Sequence, residues 1–255
     1  MLFLRSLLFN IAFYVNLTAI MIFGLPTLLS GRAAILDLAR VWARSSFWLL
    51  DKICNIKFEF RGVEHLLKTG CIIAAKHQST WETFALTTQV NDFTFILKTE
   101  LTQVPLFGQY VTRSNQIAVD RASRGAALRE LIAQAAPAIA EGRAIFIFPE
   151  GTRRPAGAPP LYKSGVSHLY NATQAPCVPV ALNSGLFWPR KGFLRRPGTI
   201  VVEILPAIEA GLPKAQFARM LQDRIETATE RLIAEALASN PALAVNVQKN
   251  APKRG

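Results

Sequence analysis

From Ser6 to Gly31 the chain carries no charged side chain, and Arg5 and Arg32 bound the run. At about 1.5 Å of rise per helical residue, roughly 20 apolar residues cross the hydrocarbon core of a bilayer, so this run is long enough to span as a helix. It exceeds the apolar core of about 7–15 residues found in secretory signals and lacks the small-residue cleavage site that follows one. Pro26, near its end, equally permits a re-entrant hairpin. Residues 33–53 keep Trp42, Phe47 and Trp48 among basic residues, a pattern that fits either a helix lying along lipid headgroups or one packed on the core.

Beyond Asp51 the rhythm changes to short apolar runs alternating with helical stretches. CIIAA (71–75), FTFIL (93–97), QIAV (116–119), AIFIF (144–148), CVPVAL (177–182) and TIVVEIL (199–205) predict strands. Most are apolar without alternation, as strands covered on both faces are. Helices are predicted at 78–90, 123–141 and 213–239; in the second, Leu128, Leu131, Ile132, Ala135 and Ile139 share a face and Gly142 stops it. This alternation predicts an α/β fold with a largely parallel central sheet flanked by helices, preceded by an N-terminal membrane-embedded helical segment. The expected division is a membrane segment and interfacial helix at 1–56, an α/β domain at 57–240 and a basic tail at 241–255.

Composition sharpens the picture. The 255 residues suffice for one main domain, and 51% hydrophobic against 18% charged residues exclude a disordered chain. The 29 Lys and Arg against 17 Asp and Glu leave a formal +12, which points to anionic partners. No acidic residue stands between Glu150 and Glu203, while seven basic ones do: Arg153, Arg154, Lys163, Arg190, Lys191, Arg195 and Arg196. Around Arg190 to Arg196 the aromatics Phe187, Trp188 and Phe193 make a membrane-surface patch the favoured reading. Arg32, Arg40, Arg44, Lys52 and Lys57 follow the apolar run, so the positive-inside bias assigns the rest of the chain to the cytoplasm. Cys54, Cys71 and Cys177 show neither disulfide nor zinc spacing.

The polar residues that could do chemistry follow the strands directly. CIIAA leads into KHQSTWE, FTFIL into KTE, QIAV into DR, AIFIF into PEGTRR and CVPVAL into NSG. In an open parallel sheet these carboxyl ends converge on one edge, where ligands bind. His77 is the natural general base. Glu82, five residues on, would be about 140° away on an ideal helix. The two meet if His77 occupies the turn before a helix and Glu82 its first turn. Ser79 to Glu82 also fits a capping box, so Glu82 has two readings, a helix cap or the carboxylate that orients His77. Backbone N–H groups at the Ser79 helix start are the candidate oxyanion donors. FPEGTRR, 148–154, sets two arginines beside a strand end, a pocket suited to phosphate.

Together KHQSTWE, KTELTQVPLFG with QIAVDR, FPEGTRR and VPVALNSG stand in the order and approximate spacing of the four motif blocks of the glycerolipid acyltransferase family, over roughly Lys76 to Gly185. The chain most resembles the bacterial 1-acyl-sn-glycerol-3-phosphate acyltransferases of that family. It departs in having Glu82 where aspartate is usual. The resemblance implies transfer of a fatty acyl group from acyl-CoA or acyl carrier protein to the 2-hydroxyl of lysophosphatidate, giving phosphatidic acid for phospholipid biosynthesis. His77 would deprotonate that hydroxyl, oriented by Glu82, with no covalent acyl-enzyme. Glu150, Gly151, Thr152 and Arg153 would hold the acceptor, Arg153 on its phosphate and Glu150 near the glycerol oxygens. Lys98 and Arg121 are secondary phosphate candidates, and an ordinary surface role suits Lys98 as well. The NSG turn would shape the acyl-donor side or simply end a strand. Gly108 and Gly151 read as turn formers with close backbone approach. The expected location is the bacterial inner membrane, with the catalytic domain on its cytoplasmic face.

Other classes fit less well. The chain has no G-x-S-x-G elbow and no phosphate-binding glycine loop. His65, His77 and His168 are far apart without ligand spacing, so neither metal nor cofactor is expected. A nucleic-acid partner would need a recognition helix or stacking platform, and none is evident. The alternatives that stay open are an acyltransferase for lyso-ornithine lipid or glycerol 3-phosphate, and a non-catalytic protein that binds anionic membrane lipid.

Overall fold

Seven strands form one sheet in the order β1-β7-β6-β2-β5-β3-β4. They are β1 (Ile56–Arg61), β2 (Cys71–Ala75), β3 (Phe93–Lys98), β4 (Ile117–Val119), β5 (Ala144–Ile147), β6 (Cys177–Leu182) and β7 (Gly198–Ile204). The computed structural model describes residues 1–120 and 124–248. Among these, every neighbouring pair is parallel except β6 and β7. β2, β5 and β6 are buried along their whole length, which is why their sequences are continuous apolar runs. β1 was not anticipated. It is an edge strand whose IKFEFR alternates apolar and charged residues, the pattern of a strand with one polar face.

The helices are α1 (Leu2–Phe23), α2 (Thr27–Ser30), α3 (Arg32–Leu49), α4 (Trp81–Ala85), α5 (Phe107–Arg113), α6 (Arg124–Ala140), α7 (Gly165–Thr173) and α8 (Lys214–Ser239). α5 and α7 are too short for helical periodicity to show, and neither was expected. The helix expected at 78–90 closes early, as α4 followed by a single 3-10 turn, Leu86–Thr88. On one face of the sheet α6, α7 and α8 cover a core containing Ile72, Ile145, Leu131, Leu169 and Phe217. The other face is covered by α1, α3 and α4, whose Phe9, Phe13, Phe47, Trp81 and Phe84 join Ile73, Phe146 and Val178.

The N-terminal helices therefore share a core with the sheet. α1 buries Ser6, Phe9 and Phe13 and turns Leu4, Leu8, Ile11, Val15 and Phe23 outward. Phe9 and Phe13 meet Trp188 edge-on at 5.2 and 5.3 Å. Polar bonds fix α1 along its length. The Arg195 N–H donates to Ser6 Oγ at 2.9 Å and its Nη2 to Asn10 Oδ1 at 2.9 Å. Asn16 Nδ2 donates to Ser45 Oγ on α3 at 2.8 Å, and the Tyr110 hydroxyl to Met21 O at 2.6 Å. α3 packs Phe47 against Trp81 and Phe84 and turns Val41 and Trp48 outward beside the charged Asp37 and Arg44, so it is core-packed on one side and mixed on the other. In the tail, 241–246 forms a 3-10 turn with Leu243 buried, and Val247 bridges Ala156; residues 249–255 lie outside those described.

Candidate active site

β2 lies between β5 and β6, so the carboxyl ends of these three strands deliver KHQS, FPEG and NSG to adjacent places. His77 sits in the turn before α4 and Glu82 in its first turn. His77 Nδ1 stands 2.9 Å from Glu82 Oε1. A carboxylate there holds the proton on Nδ1 and leaves Nε2 as the basic nitrogen. No described residue hydrogen-bonds Nε2. The imidazole stacks on Phe148 with ring centroids 4.0 Å apart and an interplanar angle of 17°, and the His77 side chain is 14% exposed.

Glu82 is fully buried and serves both readings at once. Its Oε1 also accepts from the backbone N–H of Gln78 and of Ser79, each at 2.7 Å. Ser79 Oγ accepts from the Trp81 N–H at 2.9 Å, completing a reciprocal cap. The cap thus builds the His77–Glu82 pairing, because the same oxygen that closes the turn meets the imidazole. Of the amides at the Ser79 start, expected to receive an oxyanion, those of Gln78 and Ser79 donate to Glu82 instead. Its second oxygen, Oε2, accepts from Ser184 Oγ at 2.8 Å. Sequence reasoning missed Ser184, since 102 residues separate it from Glu82 and only the β2–β6 pairing brings them together.

The PEGTRR turn leans on the same segment. The Arg154 N–H donates to His77 O at 2.7 Å, and Arg153 Nη1 donates to Thr80 Oγ1 at 2.6 Å. Arg153 is partly exposed and Thr152 is exposed. Gly151 has φ +67, a left-handed turn conformation that glycine adopts without strain. Glu150, expected near the acceptor's oxygens, lies beneath the turn with its side chain 1% exposed and 3.2 Å from Lys76 Nζ. That contact is an ion pair without hydrogen-bond alignment, and burial pushes the Glu150 carboxyl up while the Lys76 charge opposes the shift.

Lys98 is exposed at the end of β3. The register sets Ile73, Phe146 and Phe95 side by side, so Lys98 is level with Lys76 and two strand spacings away, roughly 10 Å. Arg121 lies outside the described residues. Gly108 lies inside α5 and not in the expected turn, but it has the expected close backbone approach: a Cβ there would stand 1.9 Å from Thr102 O. Among the described residues no group of three His, Cys, Asp or Glu side chains is placed to hold a metal. Surface depressions of about 570 and 490 Å3 lie at the start of α8 and between β4, α5 and α6, and neither includes His77.

A buried carboxylate and a stacked imidazole whose Nε2 is bonded by no described residue, beside a cationic turn, make a base that can activate a hydroxyl. Comparison with known proteins agrees. A family model described as Acyltransferase matches residues 57–183. A 1-acyl-sn-glycerol-3-phosphate acyltransferase of Pseudomonas aeruginosa is 35% identical over 84% of this chain and 83% of its own length. This chain belongs to the acyltransferase family. A yeast 1-acyl-sn-glycerol-3-phosphate acyltransferase, from Saccharomyces cerevisiae, is 29% identical over 72% of the chain and 64% of its own length. The crystal structure of the 1-acyl-sn-glycerophosphate (LPA) acyltransferase PlsC from Thermotoga maritima shares the fold, with a TM-score of 0.75 at 24% identity over 91% of this chain and 98% of that one. The family match ends at Asn183, so Ser184 and all of α8 lie beyond it in this acyltransferase.

Proposed function

We propose that this acyltransferase moves a fatty acyl group from an acyl-CoA or acyl carrier protein thioester to the 2-hydroxyl of 1-acyl-sn-glycerol 3-phosphate, forming phosphatidic acid. The observation that carries the chemistry is His77, with Nδ1 committed to buried Glu82 and Nε2 open. Nε2 takes the hydroxyl proton as the oxygen attacks the thioester carbonyl. The new C–O bond forms, the C–S bond breaks, and the proton passes from the imidazolium to the departing thiolate. Glu82 stabilises the imidazolium, and Ser184 keeps Glu82 in place. Arg153, drawn over the start of α4 by Thr80, takes the acceptor's phosphate, with Thr152 beside it and Lys98 and Arg121 as outer cations. Glu150 serves the acceptor indirectly, by supporting the turn from beneath. The names of the relatives support the acceptor, and the acid-free stretch after Glu150 supports its negative charge.

The 22-residue apolar helix α1 is long enough to cross a membrane by length and composition. The reading we favour is that it lies in the interface without crossing. Its inner face is bonded to the rest of the protein from Ser6 to Met21, over about 22 Å of its length, while its outer face is apolar. The catalytic edge would then face the cytoplasmic leaflet of the inner membrane. With an acyl thioester and lysophosphatidate, the protein is expected to form phosphatidic acid. His77→Ala should lower turnover by at least about a thousandfold at unchanged expression. Normal turnover in that variant would sink the mechanism.

A further inference from the structure

Below the PEGTRR turn lies a second constellation of buried ionic groups, which the acyl-transfer chemistry does not use. Lys76 Nζ is 2.7 and 3.0 Å from the two carboxylate oxygens of Glu226, in the middle of α8, and 3.2 Å from Glu150 Oε1. The Tyr162 hydroxyl donates to Glu226 Oε1 at 2.8 Å, and its ring centroid is 5.9 Å from Lys76 Nζ. The side chains of Lys76, Glu150 and Glu226 are 3%, 1% and 15% exposed. One ammonium thus serves two carboxylates, fully buried Glu150 and largely covered Glu226, and it is bonded to the one from α8. Glu150 has the longer contact, with Arg154 Nε at 3.9 Å as a further cation.

Each member anchors a different segment. Lys76 precedes His77, Glu150 lies in the turn that carries Arg153, and Tyr162 is on the return of that loop, whose base is closed by the Lys163 N–H donating to Pro149 O at 2.9 Å. Glu226 comes from a helix outside the family match. Buried charges are held in place strongly, since removing one partner leaves the other desolvated and alone. We propose that Glu226 is a positioning residue for acceptor binding: by holding Lys76 from α8 it limits how closely Lys76 draws Glu150, and so sets where the 148–154 turn places Arg153 above His77. This rests on the acceptor reading above. Without the Glu226 charge, Glu150 is the one carboxylate left to Lys76, and the turn is pulled towards β2.

The test compares Glu226→Gln with the intact enzyme, using lysophosphatidate, an acyl thioester and backbone hydrogen exchange. The acceptor KM should rise about tenfold while the donor KM changes less than about twofold. Amides of 148–154 should change their protection as the turn shifts, while those of β7 keep theirs. Glu226→Asp, which restores the charge, should recover most of the acceptor affinity, and Glu230→Gln, exposed one turn on, should change nothing. If Glu226→Gln fails to accumulate, Tyr162→Phe removes only the hydroxyl on Glu226 and should give a smaller shift of the same kind. An equal rise in both KM values, unchanged kinetics, or exchange that rises throughout the protein would overturn the proposal. A native enzyme that does not acylate lysophosphatidate would overturn the acceptor reading instead, and hydrogen exchange at 148–154 would still decide whether Glu226 holds the turn.

Discussion

Glu82 shows how much chemistry one side chain can organise. Lying in the first turn of α4, it reaches back to Gln78, Ser79 and His77 with one oxygen and across to Ser184 with the other. That reach lets a glutamate meet His77 from the first turn of α4, at the position where aspartate was the residue expected from the resemblance. His77 and Glu82 were legible in the sequence because a capping box fixes their relation locally. Ser184 was not, because nothing local links it to Glu82. Ser184→Ala should leave a buried carboxylate oxygen without its donor, a loss of about 1–3 kcal/mol in stability. The variant should also turn over about tenfold more slowly, with both KM values unchanged. A chemical denaturation curve and a kcat measurement check this, and an unchanged kcat would make Ser184 a structural bond only. Arg153 acts on a different quantity. Arg153→Ala should raise the acceptor KM about tenfold and leave the donor KM alone, measured by varying each substrate in turn. Equal losses for both substrates would mean that the arginine merely supports the turn through Thr80.

At the scale of elements, α1 has two faces with different work. The inner face, Phe9 and Phe13, belongs to the same core as the sheet, and its polar side chains Ser6, Asn10 and Asn16 bond Arg195 and Ser45. The sequence showed an apolar run without charge and left open whether it crosses or re-enters. Only the packing distinguishes a face that meets protein from one that meets lipid, since hydropathy is the same for both. Replacing Leu4, Leu8, Ile11 and Val15 together by Ser should preserve the folded protein, as judged by its thermal transition. Co-sedimentation with lipid vesicles should fall at least about tenfold, because several apolar side chains leave the bilayer. Loss of the thermal transition would show instead that this face is part of the protein core.

The whole molecule joins an apolar helix to a basic surface. Phe3 at the start of α1 meets Phe193 in a tilted contact with ring centroids 5.1 Å apart, so the outward face of α1 continues into the loop that carries Arg190, Lys191 and Arg196. With +12 overall, association with vesicles should have two components. Binding to anionic vesicles should weaken steeply between about 50 and 500 mM salt as the charges are screened. Binding to neutral vesicles should be weaker and nearly independent of salt. Vesicle flotation at both compositions measures this, and salt-independent binding to anionic lipid would deny the basic loop a role at the surface.

The sequence by itself determined the α/β class, six of the seven strands, the first-turn relation of His77 to Glu82 and the cationic turn after β5. Each of these is local: continuous apolar runs mark strands covered on both faces, and caps and turns act within a few residues. The edge strand β1 was also written locally, in its alternation. What only the tertiary structure decided depends on strand order and packing. Placing β2 between β5 and β6 brings Phe148 onto His77 and Ser184 onto Glu82, and packing α8 against the sheet brings Glu226 to Lys76 across 150 residues. No pattern along the chain encodes those contacts, because a side chain's partners across a sheet are set by which strands pair.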